Sequence, residues 1–243
     1  MRVSSNGYFY LSGNKLVHYC SIVFLLLITL YGLFSAFNRG TANGWYFNAE
    51  FALNDRSQES AITELADYQQ TLLSIKKAQS LDINHPHYAH MLGRIMHLGV
   101  DLGFENKAKL EEVRQLYLLS TKLRPLWPDP WVDLFRLNNY LYGYNEQTKY
   151  FIKQALLTGP YVDLVTIGTI QVWLLNWALL TGEERALLFN QFAIATQQNK
   201  VLERVLEFSK SINREKLLCS QLQFNSQYLK QKKSYLFRRY CLN

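Results

Sequence analysis

The sequence predicts an all-α fold: an N-terminal transmembrane helix followed by antiparallel helical hairpins. Three observations predict it. Leu16–Phe37 is an unbroken run of 22 residues without Asp, Glu, Lys or Arg. Beyond it, apolar residues recur at helical spacing in segments separated by short Pro, Gly and Asn breaks. One of these breaks superposes on a later one at an offset of 42 residues.

The apolar run LVHYCSIVFLLLITLYGLFSAF covers about 33 Å as a helix, close to the hydrocarbon thickness of a bilayer. Lys15 and Arg39 bracket it, and Tyr8, Phe9, Tyr10, Trp45 and Tyr46 stand outside it as interfacial aromatics do. A cleaved signal peptide would have a shorter apolar core, although Ala42-Asn43-Gly44 offers a small-residue site. Arg2 and Lys15 precede the run, while Arg39 and Arg56 follow it with Glu50 and Asp55, which predicts a cytoplasmic N-terminus. In a Gram-negative cell the single-pass protein would then sit in the inner membrane with its main domain periplasmic.

Residues 1–15 are read as a short N-terminal segment and 38–57, with Gly40, Gly44 and Asn54, as an entry linker. A helical domain occupies 58–215. Its first helix starts near Ser57, capped by Ser57 or Ser60, with Ile62, Leu65, Ala66, Leu72, Leu73 and the stem of Lys76 on one face. A second begins at Pro86 and ends near Gly99 or Gly103. A third spans Lys107–Lys122, with Leu110, Val113, Leu116, Tyr117 and Ser120 aligned. A fourth starts within Pro128-Asp129-Pro130 and stops at Gly143. A fifth runs from Glu146 to Leu157 before Gly159-Pro160, and a sixth from Val162 to Leu180. Further helices cover Glu183–Gln197, Leu202–Ile212 and Glu215–Leu229.

With 49% hydrophobic and 19% charged residues, the chain has the composition of a folded protein. Its 12 Gly and 5 Pro are too few for a β-sandwich with frequent turns. The net charge of +7 lies wholly beyond residue 199, where ten Lys/Arg face three Glu. That excess is densest in a basic, aromatic tail, 216–243. Anionic lipid or acidic polysaccharide suits such a tail on the far side of a membrane, and nucleic acid does not; a solvated, partly disordered tail is the alternative. Cys219 and Cys241 could pair on an oxidising side or remain two thiols.

Aligning Ala78 with Ser120 places Leu81 on Leu123, Pro86 on Pro128, Ala89 on Trp131 and Leu92 on Leu134; a looser match starts at Ala155. Ala78-x-x-Leu81-Asp82-x3-Pro86-x-Tyr88-Ala89-x-x-Leu92-Gly93 resembles a tetratricopeptide-repeat junction. In that junction a small residue lets two helices approach and Gly fits a tight crossing. Stacks of this kind present concave binding faces.

Two clusters carry the polar chemistry. His85, His87, His90 and His97 surround Arg94, with His90, Arg94 and His97 on one helical face. A guanidinium there opposes a cation, so no metal is expected. Arg124-Pro-Leu-Trp-Pro-Asp-Pro-Trp131 holds an extended linker through its prolines. Its Arg124, Trp127 and Trp131 either seal a helix junction or form a patch for sugars and acidic polymers. Trp173 and Trp177, four apart, would share a helix face. There is no phosphate-binding Gly loop, G-x-S-x-G, H-E-x-x-H or paired CxxC, so neither enzyme activity nor a cofactor is expected.

RPLWPDPWVDLFRLNNY, FIKQALLTGPYVDLV and VWLLNW together resemble the VpsP-type polysaccharide-biosynthesis family. Arg124, Pro125, Trp127, Pro128, Trp131, Gly159, Pro160 and Trp177 carry the likeness. Tyr161-Val162-Asp163 departs from the aromatic-Glu-Pro usual after the Gly-Pro. The resemblance implies an accessory scaffold that docks to polysaccharide polymerase or export proteins and names no catalytic residue. The alternative is a periplasmic module that binds an acidic polysaccharide.

Overall fold

The computed structural model describes the backbone of residues 7–54 and 62–242, and the side chains of 17–53 and 62–242. The described residues form twelve α-helices with three short 3-10 turns and no strand. They divide into two compact units, meeting in sequence at Asn84 and His85.

The first unit is built on α1, Gly7–Asn54, and α2, Leu65–Leu81. The expected linker 38–57 is helical through Asn54, and so is the N-terminal segment from Gly7. Gly40 and Gly44 do not break α1, because a Gly inside a helix costs only about 1 kcal/mol against Ala. From Val17 to Phe37 every side chain is exposed except the half-buried Ser35. Two of its hydroxyls are satisfied within the helix: Ser21 donates to the Val17 carbonyl and Thr29 to that of Leu25, each at 2.9 Å. A helix with no unpaired backbone groups and an apolar surface all round suits hydrocarbon. α1 is long and apolar enough to cross a membrane.

The C-terminal part of α1 packs on α2 as an antiparallel pair. Arg39 meets Asp82 at 3.5 Å, and Lys77 lies 4.2 Å from the centre of the Trp45 ring. Ala42 and Ala49, seven apart, are fully buried. On α2 the buried stripe is Tyr68, Thr71, Ser74, Ile75 and Ala78. The expected stripe is therefore displaced, and Leu65, Ala66, Leu73 and Lys76 face outward. Thr71 and Ser74 are tolerated inside because each donates to a carbonyl four residues back, Asp67 and Gln70. The expected caps Ser57 and Ser60 lie outside the described residues.

In the second unit, helices follow one another as hairpins: α3 (Pro86–Asp101) with α4 (Leu110–Leu123), α5 (Pro128–Tyr142) with α6 (Glu146–Thr158), and α7 (Asp163–Leu175) with α8 (Gly182–Ala195). The first helices of successive hairpins stack, α5 on α7 and α7 on α9 (Asn199–Ser211). The link into each hairpin has four residues, 82–85, 124–127 and 159–162. Its first residue is always extended in φ, at −144° for Asp82, −141° for Arg124 and −159° for Gly159. Its last is β-like, at ψ 117°, 116° and 127°. The 42-residue offset is thus followed by one of 35, and the longer turn after α3 accounts for most of the difference. Ala78, Ser120 and Ala155, the aligned small residues, are all fully buried.

Two expected elements differ. The sixth helix stops at Leu175 and a 3-10 turn holds Trp177–Leu179, so Trp173 and Trp177 do not share a face. Asn176 breaks the helix there: its amide donates to the carbonyls of Val172 and the Asn139 side chain. The tail is folded, as α10 (Glu215–Phe224), α11 (Leu229–Lys232) and α12 (Tyr235–Cys241). Leu218, Cys219, Leu222, Tyr228, Leu236, Phe237 and Tyr240 are its buried side chains. Cys219 and Cys241 are joined as a disulfide with Cα atoms 5.4 Å apart. The tail is therefore packed through apolar side chains, partly on α8 and α9, which its basic composition conceals.

Candidate docking face

Stacked hairpins present equivalent surface positions on their first helices, one per repeat. Applying the structural offsets to Arg94 of α3 gives Arg136 of α5, Gln171 of α7 and Glu207 of α9. Arg136 donates to the Gln171 side chain at 2.7 Å, which joins two neighbours of this file directly. Around it Leu164, Ile167, Arg204 and Phe208 line an open groove between α5, α7 and α9. On the α9 side, Lys200 and Arg204 stand beside Glu203 and Glu207, so the charge there is mixed. Arg94 and Glu207 are exposed, whereas Arg136 and Gln171 are half-buried.

Asp133, one turn before Arg136, organises the α3–α5 end. His90 Nε2 lies 2.9 Å from Asp133 Oδ2, and Arg94 Nε lies 3.9 Å from the same oxygen. Burial alone would raise the Asp133 pKa; the His90 hydrogen bond and charge, with Arg94 and Arg136, outweigh it and hold the carboxyl below its ordinary value. Burial also draws the Arg136 guanidinium downward, against the opposing pull of Asp133.

The predicted site residues divide between this face and a joint beside it. His90 is buried against Asp133, whereas His97 is half-buried, its Nδ1 3.4 Å from the Tyr117 hydroxyl. The two imidazoles thus serve different neighbours. Arg124 is the residue that ends α4, and its guanidinium donates to His87 Nε2 at 2.7 Å. His87 lies tilted against Trp127 with ring centres 4.1 Å apart, and Arg124 sits 5.7 Å from the same ring. Trp127 is therefore a joint between α3 and α5, with His90 at its edge. Trp131 is buried, donates to the Pro125 carbonyl and packs on Phe151. It is core, and the groove does not include it. Trp173 is likewise core, donating to Tyr144, which donates to Glu184 at 2.8 Å.

His87 shows the electrostatics of the joint. Burial first, then Arg124, His85 and His90, lower its pKa to about 4. It is the neutral imidazole that can accept the Arg124 hydrogen bond. Among the described residues no three His, Cys, Asp or Glu side chains are grouped to hold a metal ion.

Asp133, Arg136, Gln171 and Glu207 were not singled out by reading the sequence. The signal was present in the 42-residue and 35-residue offsets, but it required the exact length of the α3–α4 turn.

No family model matches the chain, and no curated protein does. Among solved structures, one titled "Crystal structure of MamA protein" aligns with a TM-score of 0.37 and 9% identity. The alignment covers 80% of this chain and 97% of that one. The helical-hairpin fold stands on the helices and links themselves.

Proposed function

We propose that this chain is an anchored docking scaffold, an accessory component of exopolysaccharide assembly and export in a bacterial envelope. The observation that carries the docking part is the open groove between α5, α7 and α9, where Arg136, Gln171, Arg204 and Glu207, from three successive hairpins, stand beside Leu164, Ile167 and Phe208. Such a face suits an extended partner segment read by several helices at once. The partner in this reading is a polysaccharide polymerase or an export protein, which the likeness of Arg124–Trp177 to VpsP-type proteins suggests.

The anchor is α1, exposed and apolar over Val17–Phe37. The reading places the N-terminus in the cytoplasm and the hairpins in the periplasm of the inner membrane. The Cys219–Cys241 disulfide supports that side, since disulfides persist in oxidising compartments. The scaffold works by binding and carries out no reaction of its own.

Deleting the gene in the source bacterium should lower the amount, or shorten the chains, of surface polysaccharide. The wild-type gene should restore it. A double variant of exposed groove residues, Arg204→Glu with Glu207→Lys, should reach the membrane at the wild-type level yet fail to restore it. An unchanged polymer in the deletion strain removes the polysaccharide role. Full rescue by the double variant removes the docking role of this face.

A further inference from the structure

We infer that the folded C-terminal segment is a docking surface for an anionic phospholipid bilayer. Between Phe224 and Leu242 there is no Asp or Glu, and five cations, Lys230, Lys232, Lys233, Arg238 and Arg239, are exposed. Lys230, Lys233 and Arg238 have no ion-pair partner among the described residues. Arg239 is the one that pairs, with Glu203 at 3.1 Å.

The apolar side chains of the segment are sorted. Tyr228, Leu236, Phe237 and Tyr240 are buried and hold the segment in place, with Tyr228 against Phe192 of α8 and α12 packed on α9. Phe224, Leu229, Tyr235 and Leu242 are exposed by 79, 61, 63 and 63%. On α12 the exposed set recurs at helical spacing, Tyr235, Arg238, Arg239 and Leu242, opposite the buried one. Lys232 Nζ donates to the Gln223 carbonyl at 3.1 Å, which brings α11 back beside Phe224. The disulfide ties the last turn of α12 to α10, so these residues sit on a folded surface.

Cations interspersed with single exposed Phe, Leu and Tyr side chains fit a bilayer interface. The cations meet the negative surface potential, and the apolar side chains enter the boundary between headgroup and acyl chain. A hydrated acidic polymer would engage the same cations but leave Phe224, Leu229 and Leu242 without a partner. The inference does not depend on the docking reading of the groove, which lies on other helices.

The test uses the full chain held in zwitterionic nanodiscs, which cover α1, mixed with sedimentable vesicles. Vesicles with about a third phosphatidylglycerol should bind at least tenfold more tightly than pure phosphatidylcholine, and 0.5 M salt should weaken this. Lys230→Glu, Lys233→Glu and Arg238→Glu together should abolish binding while the melting temperature is kept. Leu229→Ser, Tyr235→Ser and Leu242→Ser should weaken it severalfold at unchanged charge. Equal binding to the two vesicle types, or binding retained by the charge variant, overturns the inference. So does wild-type binding by the apolar variant together with displacement by polygalacturonate, which would make the surface a receptor for soluble polyanions.

Discussion

A half-buried carboxylate is retained between helices where its charge is answered, and Asp133 is answered by His90, Arg94 and Arg136. His87, nearby, is kept neutral, with its pKa drawn to about 4. For such a base the unfolded chain takes up a proton near pH 6.5, while the folded one resists until about pH 4. Unfolded chains then bind more protons, so stability falls as pH drops through this window. His87→Gln should flatten that loss, measured as melting temperature from pH 7.5 to 4. Asn138 makes a comparable point without charge. Its amide donates to Thr148 and Asn145, and its carbonyl accepts from Arg114, in a buried network at the α5–α6 turn. Asn138→Ala should cost about 1–3 kcal/mol in denaturant unfolding by leaving these groups unpaired. The histidines and Arg94 were legible in the sequence because rare residues at helical spacing stand out. Asp133 and Asn138 were not, because an isolated Asp or Asn on a helix reads as solvated until its neighbours are known.

Helices α3 and α4 cross at Gly93. A Cβ there would meet the Tyr117 ring carbons at 2.6 and 2.9 Å, and Tyr117 is fully buried and cannot yield. Gly93→Ala should therefore destabilise by about 1–3 kcal/mol, despite its better helix propensity, as thermal or urea melts would record. The same element logic explains the starts of the hairpins. Pro86 and Pro128 occupy first-turn positions, where the missing N–H is no loss. These starts were legible because proline chemistry is local. The ends of α1 and α7 were not. Gly40 and Gly44 lie in a helix that packing on α2 extends, while Asn176 ends an apolar helix through its own amide contacts.

At the scale of the molecule, the chain comprises a unit with an apolar helix and a unit of stacked hairpins closed by a disulfide. That bridge encloses a 22-residue separation. Chain-entropy arguments assign such a loop about 3 kcal/mol. Cys219→Ser with Cys241→Ser should lower the denaturant midpoint accordingly. Limited proteolysis should then cut first within α12, whose last turn the bridge secures.

By itself the sequence determined the all-α class, the apolar helix, most helix starts and the hairpin spacing. These depend on local hydrophobicity, periodicity and proline or glycine chemistry, which act within a few residues. Tertiary structure decided the rest. It continued α1 to Asn54, rotated the buried face of α2 and packed the tail onto α8 and α9 through its apolar side chains. It turned Trp127 and Trp131 into joint and core, and aligned Arg94, Arg136, Gln171 and Glu207. The reason is that a contact between residues 35 or 42 positions apart depends on the exact lengths of the turns between them. No local preference within one segment carries that information.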